Sequence, residues 1–393
     1  MRAEGLFGEA VDRIGGEPIS ARMARRAPIR HVDPTLLMVT LLLGVFGALM
    51  IFSATAPKQE EAGLDPSSFL KRQVAYLVVG GILMIAMSLF DYRYLRSFAP
   101  FVYGATLLAL VVVLTPLGDV QSGARRWIDF GVFQAQPSEL AKIAVIVVLA
   151  AYLAERKGEV TAAKDVTICC GLVLVPMALI FLEPDLGTAG VFVALAGALL
   201  LVGGARLRHF LVLGAASAVG IFAVLQFGLL QDYQIERWTA FLDPNPDVRS
   251  VGYNLTQSKI AIGSGGLRGK GLNGEDTQTS LDFVPEQHTD FIFTAVGEQL
   301  GFIGSATLLG LFAFLIWRAL RISALARDLF GTLLAAGIAG LWAFQLFVNI
   351  GMTMGIMPIT GIPLPFMSFG GSSLMTNFIA VGVLLNIHMR RFV

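Results

Sequence analysis

Charge is what this 393-residue sequence has least of: Asp, Glu, Lys and Arg make up 15%, against 55% hydrophobic residues. That scarcity excludes an ordinary soluble enzyme, whose surface carries far more charge. A net charge of +1 excludes a global field for nucleic acid, so no nucleic-acid partner is expected. Cysteine is nearly absent too. Cys169 and Cys170 are adjacent in an apolar run, which rules out a disulfide framework or a zinc site and suits core packing. No short-period repeat or low-complexity tract is present.

Long apolar runs are abundant. A bilayer core needs about 20 apolar residues per helix. Ten stretches meet or approach that length, at roughly 34–54, 73–90, 98–116, 138–154, 166–182, 186–203, 210–230, 291–317, 330–355 and 371–388. The expected fold is an all-α, polytopic membrane domain over 34–393, preceded by a tail at 1–33. The tail carries Arg2, Arg13, Arg22, Arg25, Arg26 and Arg30 without an apolar stretch suited to a signal peptide, and reads as retained in the cytoplasm. With both termini inside, Arg93, Arg96, Arg156, Arg206, Arg208, Arg318, Arg321, Arg390 and Arg391 fall on the same side as the tail. Five other basic residues, Lys58, Lys71, Arg72, Arg125 and Arg126, lie in the short exterior loops.

Residues 231–290 form an exterior loop far longer than any other connection, and loops of that length are uncommon without a task. Within it, 253–262 has apolar spacing suited to a short interfacial helix. The glycines between Gly263 and Gly271 match neither a P-loop nor a dinucleotide fingerprint, because Ser264, Arg268 and Gly271 stand at required positions. Flexible backbone around a substrate is the expected use. Between the last two spans, Pro358 to Ser373 combines three prolines with no charge, which suits a re-entrant loop buried against protein.

Polar residues gather on the exterior side. Glu286, His288 and Asp290 stand immediately before the apolar Phe291-Ile292-Phe293. For Asp290 alone, capping the following helix is the plainer reading; with two ionisable neighbours, function gains weight. Partial burial would raise its pKa and improve it as a proton acceptor. Glu139 and Lys142 share a helix face inside a span, as a structural ion pair or a functional one. Arg125, Arg126 and Trp127 read singly as surface and interface residues, but with Arg268 and Lys270 they make a cationic rim for a diphosphate. Asp185, after Pro184, reads as a turn residue.

Gly123-Ala124-Arg125-Arg126-Trp127-Ile128, Gln136-Pro137-Ser138-Glu139 with Lys142, Glu183-Pro184-Asp185-Leu186-Gly187-Thr188, Pro285 through Phe293, and Pro365 through Ser373 resemble, in order, the motifs of the SEDS (shape, elongation, division and sporulation) family. The likeness covers about residues 34 to 390. Gly252-Tyr253-Asn254 and Gln287 make the chain most similar to the elongation branch, RodA, rather than the division branch, FtsW. The resemblance implies a peptidoglycan glycosyltransferase of the bacterial cytoplasmic membrane that polymerises lipid II into glycan strands during rod elongation. It implies a class B penicillin-binding protein as partner, and a divalent cation, magnesium or manganese, with ligands unassigned.

Asp290 matches the family's essential aspartate. The donor's diphosphate is α-linked and the product β, so one inverting displacement fits, with Asp290 as general base toward the acceptor hydroxyl. Arg125 and Lys270 are expected on the diphosphate. Glu139 and Lys142 shape the cavity, and Glu286 and His288 orient Asp290 or the sugar; Trp127 and Asp185 complete the expected substrate contacts. Two rival classes are a lipid II flippase and a scaffold that recruits the transpeptidase.

Overall fold

The computed structural model describes residues 31–121, 124–131, 133–156, 162–228, 230, 232–242, 251–272, 277 and 286–392. The tail at 1–30 and Pro285 lie outside them.

Ten helices follow the ten apolar runs: α1 (Pro34–Glu61), α2 (Ser68–Leu89), α3 (Tyr92–Leu114), α4 (Pro137–Glu155), α5 (Ala163–Leu182), α6 (Leu186–Val202), α7 (Leu207–Gln226), α10 (Ile292–Ala324), α11 (Leu329–Met354) and α12 (Gly371–Arg390). Among the described residues, nine are long and apolar enough to cross a bilayer. The tenth, α6, has 17 residues. At 1.5 Å per residue it reaches about 26 Å, the short limit of a span. The protein is embedded in a membrane.

Helices α4, α11 and α12 form the buried centre, while α2, α3 and α7 face outward. Small residues let the helices approach. Gly80 of α2 receives the Phe378 ring of α12, and Gly47 of α1 lies against the backbone of Phe366 and Met367. Segment 358–370 has no helix, and Leu364, Phe366 and Met367 are buried. Its backbone is satisfied locally, Leu364 N–H donating to Ser368 Oγ at 2.8 Å and Ser368 N–H to Leu364 O at 3.0 Å. This is the re-entrant arrangement its prolines require.

Two features depart from the sequence reading. A small antiparallel sheet, β1 (Asp119–Gln121), β2 (Ala124–Asp129) and β3 (Gln134–Ala135), fills the connection before α4. The long loop also contains two helices, α8 (Asp232–Leu242) and α9 (Val251–Ser264). Helix α9 covers the expected 253–262 and buries Leu255, Ser258 and Ala261, with Ser258 Oγ donating to Thr353 O of α11 at 2.9 Å.

The glycine cluster is docked backbone, which corrects its expected use as a flexible substrate wrap. Helix α10 breaks at Gly301, at φ 64° and ψ −160°, a conformation for glycine alone. The break frees hydrogen-bonding groups, and the loop takes them up. Phe302 N–H donates to Gly266 O at 2.9 Å and Ile303 N–H to Leu267 O at 3.2 Å; Lys270 and Gly271 N–H donate to Glu298 and Gln299 carbonyls, each at 3.0 Å. Side chains at Gly265 or Gly269 would collide with the α10 backbone. These glycines are small because a broken helix needs a second backbone beside it.

Candidate active site

The turn before α10 is built on one carbonyl. Glu286 O accepts from the backbone N–H of Thr289 and of Asp290, both at 3.2 Å, and of Phe291 at 3.4 Å. Glu286 takes φ 54° to make that turn, and its side chain is exposed, accepting from Thr289 Oγ1 at 3.2 Å. His288 sits between the Phe69 and Phe369 rings, at 4.9 and 5.7 Å, while its carbonyl accepts from Phe369 N–H at 2.9 Å. His288 thus pins the turn to the re-entrant loop.

Asp290 does not cap α10. Phe291 occupies the cap position, and among the described residues none donates a hydrogen bond to the Asp290 carboxylate. The half-buried carboxylate faces Gly361: a methyl placed there would lie 3.2 Å from Asp290 Oδ2 and 3.7 Å from Arg237 Nη1. Asp290 and Arg237 therefore converge on one glycine. Burial pushes the Asp290 carboxyl up, the Arg237 charge opposes it, the Glu286 and Asp185 charges add to the rise and Arg126 opposes; the result is about 6. Such a group is ionised at neutral pH yet basic enough to accept a proton.

Arg237 comes from α8, whose Tyr233, Gln234, Arg237 and Trp238 line one face. Its guanidinium lies 5.5 Å from the Tyr233 ring centroid. With Arg126, Asp185 and Thr360 they enclose a cavity of about 70 Å³ beside Gly361. Arg126 braces the opposite wall, donating from Nε to Glu183 O at 3.0 Å and from Nη2 to Pro184 O at 2.6 Å; Tyr233 also donates to Pro184 O, at 2.6 Å.

Side-chain alternation along β2 separates the two arginines. Arg126 turns to the cavity and Arg125 is exposed. Trp127 is half-buried on the same strand and does not line the cavity. Lys270 is committed elsewhere, its Nζ 2.9 Å from the fully buried Glu298 carboxylate near the break in α10. Arg237 and Arg126 are the cations whose charge acts on Asp290.

Asp185 does two things. Oδ1 accepts from Thr188 N–H at 3.0 Å and Oδ2 from Thr188 Oγ1 at 2.9 Å, capping α6, and its residue lines the cavity. Neighbouring Glu183 is buried with neither carboxyl oxygen bonded. Burial, with the Asp185 charge added and Arg126 opposing, pushes it to about 8. Glu139 and Lys142 form a buried ion pair at 2.6 Å in α4, with Glu139 Oε2 unpartnered.

Arg237 escaped the sequence reading although Glu236-Arg237-Trp238 was visible in it. The available signal is the polar set at 233, 234 and 237, which share one helical face within the long exterior loop. Among the described residues no group of three or more His, Cys, Asp or Glu is arranged to hold a metal ion.

A family model described as cell cycle protein, covering FtsW, RodA and SpoVE, matches residues 34–392. The chain belongs to the FtsW, RodA and SpoVE family. It is 39% identical to the peptidoglycan glycosyltransferase MrdB of Escherichia coli K12, over 92% of this chain and 94% of that one. It is 40% identical to stage V sporulation protein E of Bacillus subtilis, over 90% and 96%. Among solved structures, it is similar to a chain from work on structural coordination of polymerization and crosslinking by a peptidoglycan synthase complex (TM-score 0.78, 32% identity, 92% of this chain and 98% of that one). It is also similar to the rod shape determining protein RodA of Thermus thermophilus (TM-score 0.68, 30% identity, 92% and 97%).

Proposed function

We propose that the protein is a peptidoglycan glycosyltransferase of the elongation branch that polymerises lipid II at the outer face of the cytoplasmic membrane, with both termini inside. The observation that carries this reading is the Asp290 carboxylate, free of hydrogen bonds from described residues and set against Arg237 at Gly361. The enzyme name of the 39%-identical relative and the RodA likeness support activity and branch. Arginines at the terminal end of the bundle, including Arg93, Arg318, Arg321, Arg390 and Arg391, support the orientation.

In the proposed displacement the acceptor's 4-hydroxyl oxygen bonds to the anomeric carbon of the donor. The bond from that carbon to the diphosphate oxygen breaks with inversion, and the hydroxyl proton passes to Asp290. The polyprenyl diphosphate departs as an anion, which needs positive charge more than a proton. Arg237 supplies it directly. Arg126 holds the Glu183–Pro184 wall and adds its field. Asp290 then returns its proton to water. A class B penicillin-binding protein is the proposed partner, supported by likeness to a chain of a complex that joins polymerization and crosslinking.

The buried Glu139–Lys142 pair favours a second reading, lipid II translocation, because ionisable pairs inside spans mark transport paths. Asp290, Arg237, Arg126 and Asp185 gather at one end of the bundle, however, rather than at its midplane. Purified protein in proteoliposomes with fluorescent lipid II decides between them. Glycan strands are expected; translocated but unpolymerised lipid would overturn the polymerase reading.

A further inference from the structure

The end of the bundle that carries both termini has two features the polymerase reading does not use. The first is an apolar cavity of about 210 Å³ between the start of α1 and the ends of α2 and α12, lined mainly by Val32, Leu37, Met84, Ile85, Leu385 and Met389. Ile85 and Leu89 at its rim are exposed, so it opens outward. Buried water needs two to four polar partners. The one hydroxyl present, Ser88, already donates to Ile85 O at 2.8 Å. Hydrocarbon fits this cavity and ordered water does not.

The second feature is a surplus of arginine. Arg318 pairs with the buried Asp33, Arg93 with Asp328 at 3.8 Å, and Arg390 with Asp91 at 3.0 Å. Among the described residues, Arg321 and Arg391 have no carboxylate partner. They lie over aromatic rings, Arg321 5.4 Å from the Trp317 centroid and Arg391 4.3 Å from that of Phe392. Arg391 Nε is buried without a hydrogen bond to the described residues. Burial, with Arg318 and Arg321 facing it and Asp33 opposing, pulls the Arg391 guanidinium below its ordinary range.

The two features meet at the start of α1 and the end of α12. Val32 lines the cavity while the adjacent Asp33 holds Arg318 and stands 3.9 Å from His388 Nδ1. Met389 lines the cavity two residues before Arg391. We infer that this end of the bundle is a binding site for an anionic phospholipid, its phosphate on Arg321 and Arg391 and one acyl chain in the cavity.

Charge selects this occupant. Basic pockets between spans recognise anionic headgroups. A zwitterionic lipid would bring an ammonium toward two unpaired guanidiniums.

Native mass spectrometry of the full-length protein in detergent tests the site, with phosphatidylglycerol, phosphatidylcholine of the same chains, and inorganic phosphate as probes. Phosphatidylglycerol should be retained roughly 30-fold over phosphatidylcholine, the scale set by two guanidinium contacts. That preference should vanish in an Arg321→Gln, Arg391→Gln double variant. Leu385→Trp, which fills the cavity, should lower retention of both lipids. Equal retention of the two lipids, an undiminished preference in the double variant, or displacement by inorganic phosphate would overturn the proposal. Arg321 is exposed, so the single Arg321→Gln variant keeps the test valid if the others unfold, with a reduced preference expected and an unchanged one counting against the site.

Discussion

Asn349 on α11 donates hydrogen bonds to two carbonyls at once, Asp290 O at 2.9 Å and Ile362 O at 2.8 Å. One acceptor belongs to the turn that presents the carboxylate, the other to the re-entrant loop beside it. A side chain on a rigid helix thus sets the distance between Asp290 and the Gly361 wall. Asn349→Ala leaves both carbonyls short of a donor, at a cost of about 1 to 3 kcal/mol each if they stay buried. A shift of 1 Å at the reacting group costs roughly 10²-fold in rate. Polymerisation by Asn349→Ala is expected to fall on that scale, and more steeply than the folded fraction measured by thermal unfolding of the same preparation.

Gly361 is required twice. Its φ of +73° suits glycine, and a methyl there would stand 3.2 Å from Asp290 Oδ2. Gly361→Ala adds about 1 to 2 kcal/mol of backbone strain and presses on the carboxylate. We expect kcat to drop about tenfold or more, with lipid II binding nearly kept. Separate kcat and KM measurements check this, and an unchanged kcat would remove Gly361 from the site.

The two neighbouring arginines should behave differently. Arg126→Ala removes the donors that hold the Glu183 and Pro184 carbonyls, whereas Arg125 is exposed. Arg126→Ala is predicted to reduce polymerisation at least about tenfold, from charged hydrogen bonds of about 1.5 to 3 kcal/mol, and Arg125→Ala to leave it within about twofold. Lysine lacks the planar fork that reaches both carbonyls, so Arg126→Lys should not restore the rate. Parallel lipid II assays on the three variants are decisive.

Burial raises Asp290 from its ordinary 3.8 to about 6, with Arg237 opposing. The folded protein binds this proton more tightly than the unfolded chain, so the stability it contributes is full below the unfolded value and lost as pH rises through the folded one. Asp290→Asn cannot ionise and should unfold at a higher temperature than wild type near neutral pH, the gap closing toward about pH 4. Catalysis follows the opposite trend, because the base must be ionised: the rate should decline as pH falls through about 6. Glu183, pushed up to about 8, makes stability fall from its ordinary 4.5 up to that pH, and Glu183→Gln should flatten this slope. Thermal unfolding across pH checks both groups.

The spans were legible because their signal is composition over about 20 residues, which no tertiary contact can disguise. Asp290 was legible because charge beside an apolar run is rare. What escaped depended on local backbone geometry. No strand was foreseen over 119–135, so nothing in Arg125-Arg126 indicated which side chain would face inward. Arg237 sits on α8, a helix hidden in a segment read as a loop. Lys270 looked available for a phosphate because its partner Glu298 lies beyond the turn, inside a helix whose break at Gly301 has no sequence mark except glycine itself. Gly265 and Gly269 read as flexible for the same reason: the α10 backbone that crowds them is remote in sequence.

The most direct test of the base assignment is polymerisation of purified lipid II by Asp290→Asn in the presence of the transpeptidase partner, with complex formation and thermal unfolding measured alongside. A folded, partner-bound protein that makes no glycan strand is expected. Strands formed at close to the wild-type rate would show that another group takes the proton.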